Sequence, residues 1–280
     1  MAEVKVLPAL PDYAVGFKTL LMGSPGTGKT SSIPTLLLAG FEVFCIFMEN
    51  GMSNLMKACR FHGVPEDIIK TRLHFAYVKP GAASFKSLVK RGEAILIADE
   101  FGKMSGGKRS EYNQLVEVFK TCANYVDQNG QVYGPIDEFK AHQVVVFDGL
   151  SGISNMAMKM TIGNKPCPGL QDYLVSMTQV DDFVRQMANI DAAVVLIAHL
   201  TLERDEVSGK IQIVPSTVGA KLAPTLGQHF NDVVRTEYAT GQYVWSTDDS
   251  QAELKASNLP RRKGMKADFR PLVEAWLQTI

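Results

Sequence analysis

The sequence predicts an α/β fold in which helices cover both faces of a mostly parallel central sheet. Five short apolar segments have the continuous hydrophobic character of strands that are buried on both sides. Helical-looking stretches separate these segments, and such alternation is typical of a parallel sheet. The five predicted strands cover residues 17–22, 42–48, 73–78, 143–147 and 193–198.

The composition is that of a globular protein. Of the 280 residues, 46% are hydrophobic, which suffices for a full core and excludes a disordered or fibrous chain. The 29 Lys and Arg residues balance 29 Asp and Glu residues, so no global charge attracts nucleic acid or an anionic membrane. The four widely spaced cysteines predict reduced thiols rather than a zinc site. Without a signal-peptide pattern or a membrane-spanning apolar stretch, we expect a soluble cytoplasmic protein with no membrane partner.

The first predicted strand leads directly into a glycine-rich turn and then into a helix. This helix is predicted over 30–38 and ends before Gly40, because glycine tolerates the left-handed conformation that stops a helix. Pro34 lies inside it and would remove a backbone hydrogen bond. We therefore expect a short or kinked helix.

Further helices are predicted between the later strands. They cover 52–62, much of 84–127, and 173–189. From residue 241 onward an aromatic segment predicts terminal strands, followed by a basic loop over 260–266. No repeat or clear linker divides the chain, so we expect one domain. Its parts are an N-terminal extension over 1–16, a core over 17–260, and a basic loop with a C-terminal tail over 261–280.

The glycine-rich turn matches the phosphate-binding pattern G-x-x-x-x-G-K-[ST], in the required context between a strand and a helix. Its glycines let successive N–H groups point at phosphates, and the helix N-terminus adds partial positive charge. We expect Lys29 to reach the β- and γ-phosphates and the Thr30 hydroxyl to ligate Mg²⁺, so ATP with Mg²⁺ should bind here. The predicted nucleotide-binding residues are Gly23, Ser24, Pro25, Gly26, Thr27, Gly28, Lys29, Thr30 and Ser31.

The metal needs a second, acidic ligand at the end of a neighbouring strand. Asp148 follows the β-branched run 144–147, which is bounded by polar residues and glycine as a strand is. The alternative is Asp99, at the end of an apolar run that resembles the corresponding motif of AAA+ ATPases; Glu100 would then polarise water. Because the segment around Asp99 is rich in helix-forming residues, we favour Asp148.

Two more polar residues directly follow predicted strands, at the carboxyl edge where ligands of open α/β sheets bind. Glu49 could orient and deprotonate the water that attacks the γ-phosphate, and a solvated or helix-capping carboxylate is the alternative. His199 could sense the γ-phosphate through a hydrogen bond, although a lone histidine is more often structural. The predicted catalytic residues are thus Glu49, Lys29 and His199.

The order of these residues along the chain resembles the RecA-like ATPase core, and more closely the short phage-encoded RecA-like ATPases that include single-strand annealing proteins. The similarity spans roughly 17–260. It implies a RecA-like P-loop NTPase fold with antiparallel terminal strands, and ATP hydrolysis with Glu49 as the water-activating base. His199 takes the place of the γ-phosphate sensor, where RecA itself has glutamine. If the protein is phage-encoded, its location would be the host cytoplasm.

In this family the loop after the sensor binds DNA, which here implies residues 201–217. That segment has three acidic residues and only two basic ones, Arg204 and Lys210, a poor composition for binding phosphates. A solvated hairpin is therefore an equal alternative.

RecA-like ATPases work as rings or filaments in which a neighbour's basic residues complete the site. The basic residues after the last predicted strands could act in trans, contact a DNA backbone, or be solvated. These candidates are Lys255, Arg261, Arg262 and Lys263. The partners that the resemblance implies are further copies of the chain, single-stranded DNA and a phage single-strand binding protein.

Three functions remain open from the sequence. The first is an ATPase that acts on single-stranded DNA in phage-type recombination or annealing; its DNA role rests on the resemblance. The zero net charge and the lack of an aromatic and basic strip count against it. The second is a P-loop ATPase that acts on a protein, as a loader, packaging or defence component. The third is a small-molecule kinase, which would need an arginine-bearing lid, whereas 201–217 has a single arginine.

Overall fold

The structure is a computed structural model that describes residues 4–48, 51–78, 89, 92–93, 96, 112–163, 165, 167–204, 209, 211–219 and 221–280. In chain order, its strands are β1 (Lys18–Gly23), β2 (Glu42–Phe47), β3 (Leu73–Tyr77), β4 (Tyr125–Val126), β5 (Val132–Gly134), β6 (Gln143–Asp148), β7 (Ala193–Ala198), β8 (Leu200–Arg204), β9 (Ile211–Pro215), β10 (Asp232–Ala239), β11 (Gln242–Ser246) and β12 (Met265–Lys266). Its α-helices are α1 (Pro34–Leu38), α2 (Met52–Phe61), α3 (Glu66–Arg72), α4 (Gln114–Ala123), α5 (Leu150–Ile162), α6 (Leu170–Asn189) and α7 (Arg270–Leu277).

Within the described ranges, eight strands form one sheet in the order β12-β11-β10-β1-β7-β6-β2-β3. The six strands from β10 to β3 run parallel to their neighbours. The terminal strands β11 and β12 pair antiparallel. Strand β1 lies between β10 and β7, and β7 separates it from β6. The carboxyl ends of β1, β7 and β6 therefore open on the same edge of the sheet, and the predicted fold class is confirmed.

Alternating side chains of the strands fill two apolar cores, one on each face of the sheet. In β6, Val144 and Val146 belong to the core beneath α1, α2, α3 and α7, whereas Val145 and Phe147 belong to the core beneath α4, α5 and α6. Removing this apolar surface from water is the main force that holds the layers together. Burial on both faces also explains why the strands read as continuous apolar runs.

The first helix begins later than predicted. A 3-10 turn covers Thr30–Ser32, and α1 begins at Pro34. Proline is favoured in the first turn of a helix, because its missing N–H would have no partner within the helix and its φ angle already fits. Pro34 therefore begins the helix rather than kinking it.

Two other helical stretches differ from the prediction. Helix α5 is absent from the predicted elements, since Gly152 and two serines dilute its apolar periodicity. In the stretch predicted as helical over 84–127, the described residues form α4, and Tyr125–Val126 then form a strand. Most of the remainder lies outside the described ranges. None of the described helices combines the length and apolar character that crossing a membrane requires.

The C-terminal residues complete both the sheet and one core. Strand β12 pairs with β11, and α7 buries Trp276 with its ring against Phe17. The N–H of Phe269 donates to Thr35 Oγ1 at 2.9 Å, which ties this segment to α1. The residues predicted as a basic loop and tail thus include packed elements, while the division into extension, core and tail stays a prediction.

The segment 201–217 contains a hairpin. Strands β8 and β9 pair antiparallel, with Leu202 opposite Ile213 and Arg204 opposite Ile211. Lys210 lies outside the described residues. The pairing of β8 with β9 agrees with the alternative prediction that 201–217 forms a hairpin. Binding of DNA by this segment stays a prediction.

Candidate nucleotide-binding site

A cleft of about 1060 Å³ opens at the carboxyl edge of the sheet, over the glycine-rich turn (residues 23–30, the P-loop). The P-loop and the 3-10 turn form its floor. One wall comes from α2 and the other from β10, β11 and β12. Its volume is that of a typical small-molecule site, and ligands of open parallel sheets bind at this edge.

Two glycines let the P-loop curve beneath the cleft. Gly26 and Gly28 have φ angles of 78° and 83°, in the left-handed region that favours glycine. A Cβ on Gly28 would also lie 2.4 Å from Cγ of Tyr243, so the ring of β11 leaves no room for a side chain. The hairpin of β10 and β11 is therefore packed directly on the loop.

Lys29 is buried beneath this curve. Its Nζ donates hydrogen bonds to the carbonyl oxygens of Gly23 at 2.7 Å and Ser24 at 2.8 Å. An ammonium needs such partners when it is removed from water. The group is thus held inside the loop, close to where a triphosphate would lie, and its role toward phosphates stays a prediction.

The two predicted metal ligands meet at the cleft. Thr30 Oγ1 donates to Oδ2 of Asp148 at 2.8 Å, and Asp148 ends β6 with only 8% of its surface exposed. Adjacent oxygen ligands of an octahedral Mg²⁺ lie about 3 Å apart. The pair therefore fits two neighbouring positions around Mg²⁺, with phosphate oxygens and water for the others. No cluster of three or more metal-ligating His, Cys, Asp or Glu side chains occurs among the described residues.

The predicted base and the alternative metal site lie outside the described residues; these are Glu49, Asp99 and Glu100. The described neighbours of Glu49 in the chain lie beside Asp148. Met48 N–H donates to the Asp148 carbonyl at 3.3 Å, and a Cβ on Gly51 would lie 2.9 Å from Asp148 Oδ2. The role of Glu49 stays a prediction.

His199 lies at the same edge. It directly follows β7, lines the cleft, and accepts a hydrogen bond at its carbonyl oxygen from Ser216 N–H at 2.6 Å. Ser216 follows β9, so His199 joins the nucleotide cleft to the base of the β8–β9 hairpin. This position suits a sensor that passes a signal from the cleft to the hairpin. The sensor role of His199 stays a prediction.

Several cleft residues were not found from the sequence. Phe61 ends α2 and His62 directly follows it, and Tyr238 and Tyr243 come from β10 and β11. His62 Nε2–H donates to the carbonyl of Ser31 at 3.0 Å, directly after the P-loop. Burial lowers the pKa of His62, which favours the neutral imidazole. No local motif marks these residues, because chain segments far apart in sequence bring them to the cleft.

The basic residues predicted to act in trans lie on the surface and are not part of the lining of this cleft. Lys255 pairs through its backbone with Val233, and the backbone of Arg262 is bonded to Thr247. Of the residues that the structure describes, the cleft lining includes none of the four basic candidates. Those candidates are Lys255, Arg261, Arg262 and Lys263, and their side chains are exposed.

Comparison with known proteins gives a similar solved structure and a family. The flagellar accessory protein FlaH from Methanocaldococcus jannaschii is 13% identical and aligns over 89% of this chain and 84% of its own, with a TM-score of 0.42. No curated protein sequence matches the chain. The AAA_24 family model, described as an AAA domain, matches residues 16–254. Because the match covers most of its length, the chain belongs to the AAA_24 family of P-loop ATPase domains.

Proposed function

We propose that this protein binds ATP with Mg²⁺ and hydrolyses it. The contact between Thr30 and Asp148 carries the proposal, because it places a hydroxyl of the 3-10 turn and a carboxylate of β6 at the spacing of adjacent Mg²⁺ ligands. The P-loop beside it supplies backbone N–H groups and Lys29 for the phosphates. Without the contact between Thr30 and Asp148, the cleft would support a proposal of nucleotide binding but not of Mg²⁺ binding.

This proposal gives each residue of the site a separate role. The P-loop and the start of the 3-10 turn bind the phosphates, and Lys29 turns from the carbonyls of Gly23 and Ser24 to the β- and γ-phosphates. Thr30 and Asp148 hold Mg²⁺, which when bound neutralises charge on the phosphates. Glu49 orients the attacking water and accepts its proton.

Hydrolysis assays test this proposal. We expect the wild-type protein to release phosphate from ATP only with Mg²⁺, and Lys29→Ala to lose ATP binding. Glu49→Gln should bind ATP normally but hydrolyse it at least about 100-fold more slowly, as expected for loss of a general base. A wild-type protein that binds no ATP, or a Glu49→Gln variant with normal turnover, would contradict the respective step.

We further propose that ATP turnover controls the action of this protein on single-stranded DNA, in recombination or annealing of the phage type. The resemblance of the residue order to RecA-like ATPases supports this role. The exposed basic loop around Arg262 is bonded to Thr247 and does not line its own cleft, which supports a ring or filament in which it completes a neighbour's site.

A protein partner is the second candidate function. Large apolar side chains are exposed at the start of α6 and on β8: Leu170 is 78% exposed and Leu202 is 63% exposed. Exposed apolar groups and a net charge of zero suit a protein surface better than a phosphate backbone. Stimulation of hydrolysis by single-stranded DNA that declines steeply with salt would support the DNA role. Hydrolysis that is indifferent to DNA would favour the protein partner.

A further inference from the structure

We infer that Thr236, on β10, is a positioning residue of the nucleotide site whose hydroxyl fixes the shape of the P-loop through Thr27. The inference rests on the proposed function, since it concerns how the P-loop is prepared for ATP. Thr236 lies far from the P-loop in sequence and belongs to no phosphate-binding motif. Its Cα is in register with Gly23, the first glycine of the loop.

The hydroxyl groups form a short directed chain. Thr236 Oγ1 lies 2.7 Å from Thr27 Oγ1, and Thr27 Oγ1 donates to the carbonyl oxygen of Ser24 at 2.8 Å. A threonine hydroxyl has a single proton. Either hydroxyl has the geometry to donate across the Thr236–Thr27 contact; when Thr27 gives its proton to Ser24, Thr236 is the donor to Thr27. The chain therefore runs from Thr236 through Thr27 to Ser24.

The Thr236 end of this chain is buried. Thr236 is 1% exposed, and a Cβ on Gly23 would lie 2.1 Å from Thr236 Oγ1 and 2.6 Å from Thr27 Oγ1. The two hydroxyls thus occupy the space beside the first glycine of the loop. Because Thr236 is buried in the sheet, the contact ties the bend of the P-loop to the wall of the sheet.

The chain matters most when a nucleotide is bound. Ser24 O accepts hydrogen bonds from both Lys29 Nζ and Thr27 Oγ1. When Lys29 turns to the phosphates, the bond from Thr27 remains to hold this carbonyl in place. Thr236 fixes the side chain of Thr27 that makes this bond. If the P-loop keeps its shape after Lys29 leaves the Ser24 carbonyl, it loses less conformational freedom when ATP binds.

Affinity for Mg²⁺-ATP, measured by calorimetry alongside melting temperature, tests the inference. Thr236→Val keeps the side-chain shape but removes the donor, and one hydrogen bond corresponds to about a 5- to 10-fold rise in Kd. Thr236→Ser keeps the donor and should bind within about twofold of wild type, given the same bond. A role in folding alone would lower the melting temperature of Thr236→Val but leave its Kd for Mg²⁺-ATP at the wild-type value.

A variant of Thr27 tests the same hydroxyl chain without changing the buried residue Thr236. Thr27 is half-buried in the loop, so Thr27→Val does not disturb the core. Because the chain acts as one unit, Thr27→Val and the double variant should show the same loss as Thr236→Val. Wild-type affinity in Thr236→Val, or losses that multiply in the double variant, would overturn the inference. A wild-type protein that binds no ATP would instead overturn the proposed function.

Discussion

Thr30 and Asp148 are 118 positions apart in sequence, yet the hydroxyl of one donates to the carboxylate of the other at 2.8 Å. The sheet order explains the contact. Strand β7 lies between β1 and β6, so the P-loop after β1 curves across the end of β7 to reach Asp148. The fold thus brings a hydroxyl and a carboxylate from distant parts of the chain together at the cleft.

The curvature of the P-loop predicts different effects for two glycines with similar φ angles. Gly28→Ala places a Cβ 2.4 Å from the Tyr243 ring, whereas a Cβ on Gly26 meets nothing within 4 Å. Both changes force alanine into the left-handed region, at a cost of about 1–2 kcal/mol. We expect Gly28→Ala to weaken ATP binding at least about tenfold more than Gly26→Ala, because the ring must also move. Equal affinities in calorimetry would show that Tyr243 does not press on the loop.

The bond between Thr35 and Phe269 predicts that the C-terminal segment stabilises the P-loop helix. Thr35 Oγ1 accepts from Phe269 N–H and donates to the Ser32 carbonyl at 2.6 Å. In Thr35→Val the buried N–H of Phe269 loses its acceptor, which should lower the free energy of unfolding by about 1–3 kcal/mol. Thr35→Ser should keep most of the stability. Urea unfolding measures both, and a Thr35→Val protein as stable as wild type would refute the role of this bond.

The cluster around His74 predicts a loss of stability in acid. His74 contacts Glu42 Oε1 at 3.1 Å and Asp127 Oδ2 at 3.3 Å. Although burial opposes ionisation, the N–H groups of Gln131 and Asn129 and the imidazole hold the pKa of Asp127 below its usual value. The pKa of Glu42 is likewise lowered against burial, by its hydrogen bond with His74.

A lowered folded-state pKa means that the unfolded chain binds protons first as the pH falls. The stabilisation is therefore complete above the unfolded pKa of about 4 and is lost as the pH falls through the lower folded value. We expect Asp127→Asn to lower the melting temperature at pH 7 and to flatten its decline in acid. Glu253→Gln, at an exposed carboxylate, serves as the control. An acid profile of Asp127→Asn that parallels wild type would exclude this cluster as the cause.

The sequence predicted the parts of the fold that depend on local pattern. The β-branched run before Asp148 identified a strand, and the glycine spacing identified the P-loop, since both signals lie within a few residues. The helix that contains Pro34 was predicted to be short or kinked, and it is short; its start was predicted too early, because the sequence pattern does not show that Pro34 begins it. Helix α5 was missed because glycine and serine interrupt its apolar face.

Other parts of the site depend on contacts between distant segments. Thr236, Tyr243 and His62 reach the P-loop only because β10 pairs with β1 and α2 packs beside the 3-10 turn. Nothing in their immediate neighbours marks them as part of a nucleotide site. Their positions follow from the strand order, which local propensity does not specify.

The most direct test of the central claim is the Mg²⁺ dependence of ATP hydrolysis by Asp148→Asn. We expect it to bind ATP without metal as well as wild type does, but to lose the effect of Mg²⁺ on affinity and at least about 100-fold in turnover, because a charged ligand is removed. Asp99→Asn, the variant of the alternative site, should retain both. Normal Mg²⁺-dependent turnover by Asp148→Asn, together with an inactive Asp99→Asn, would contradict the account.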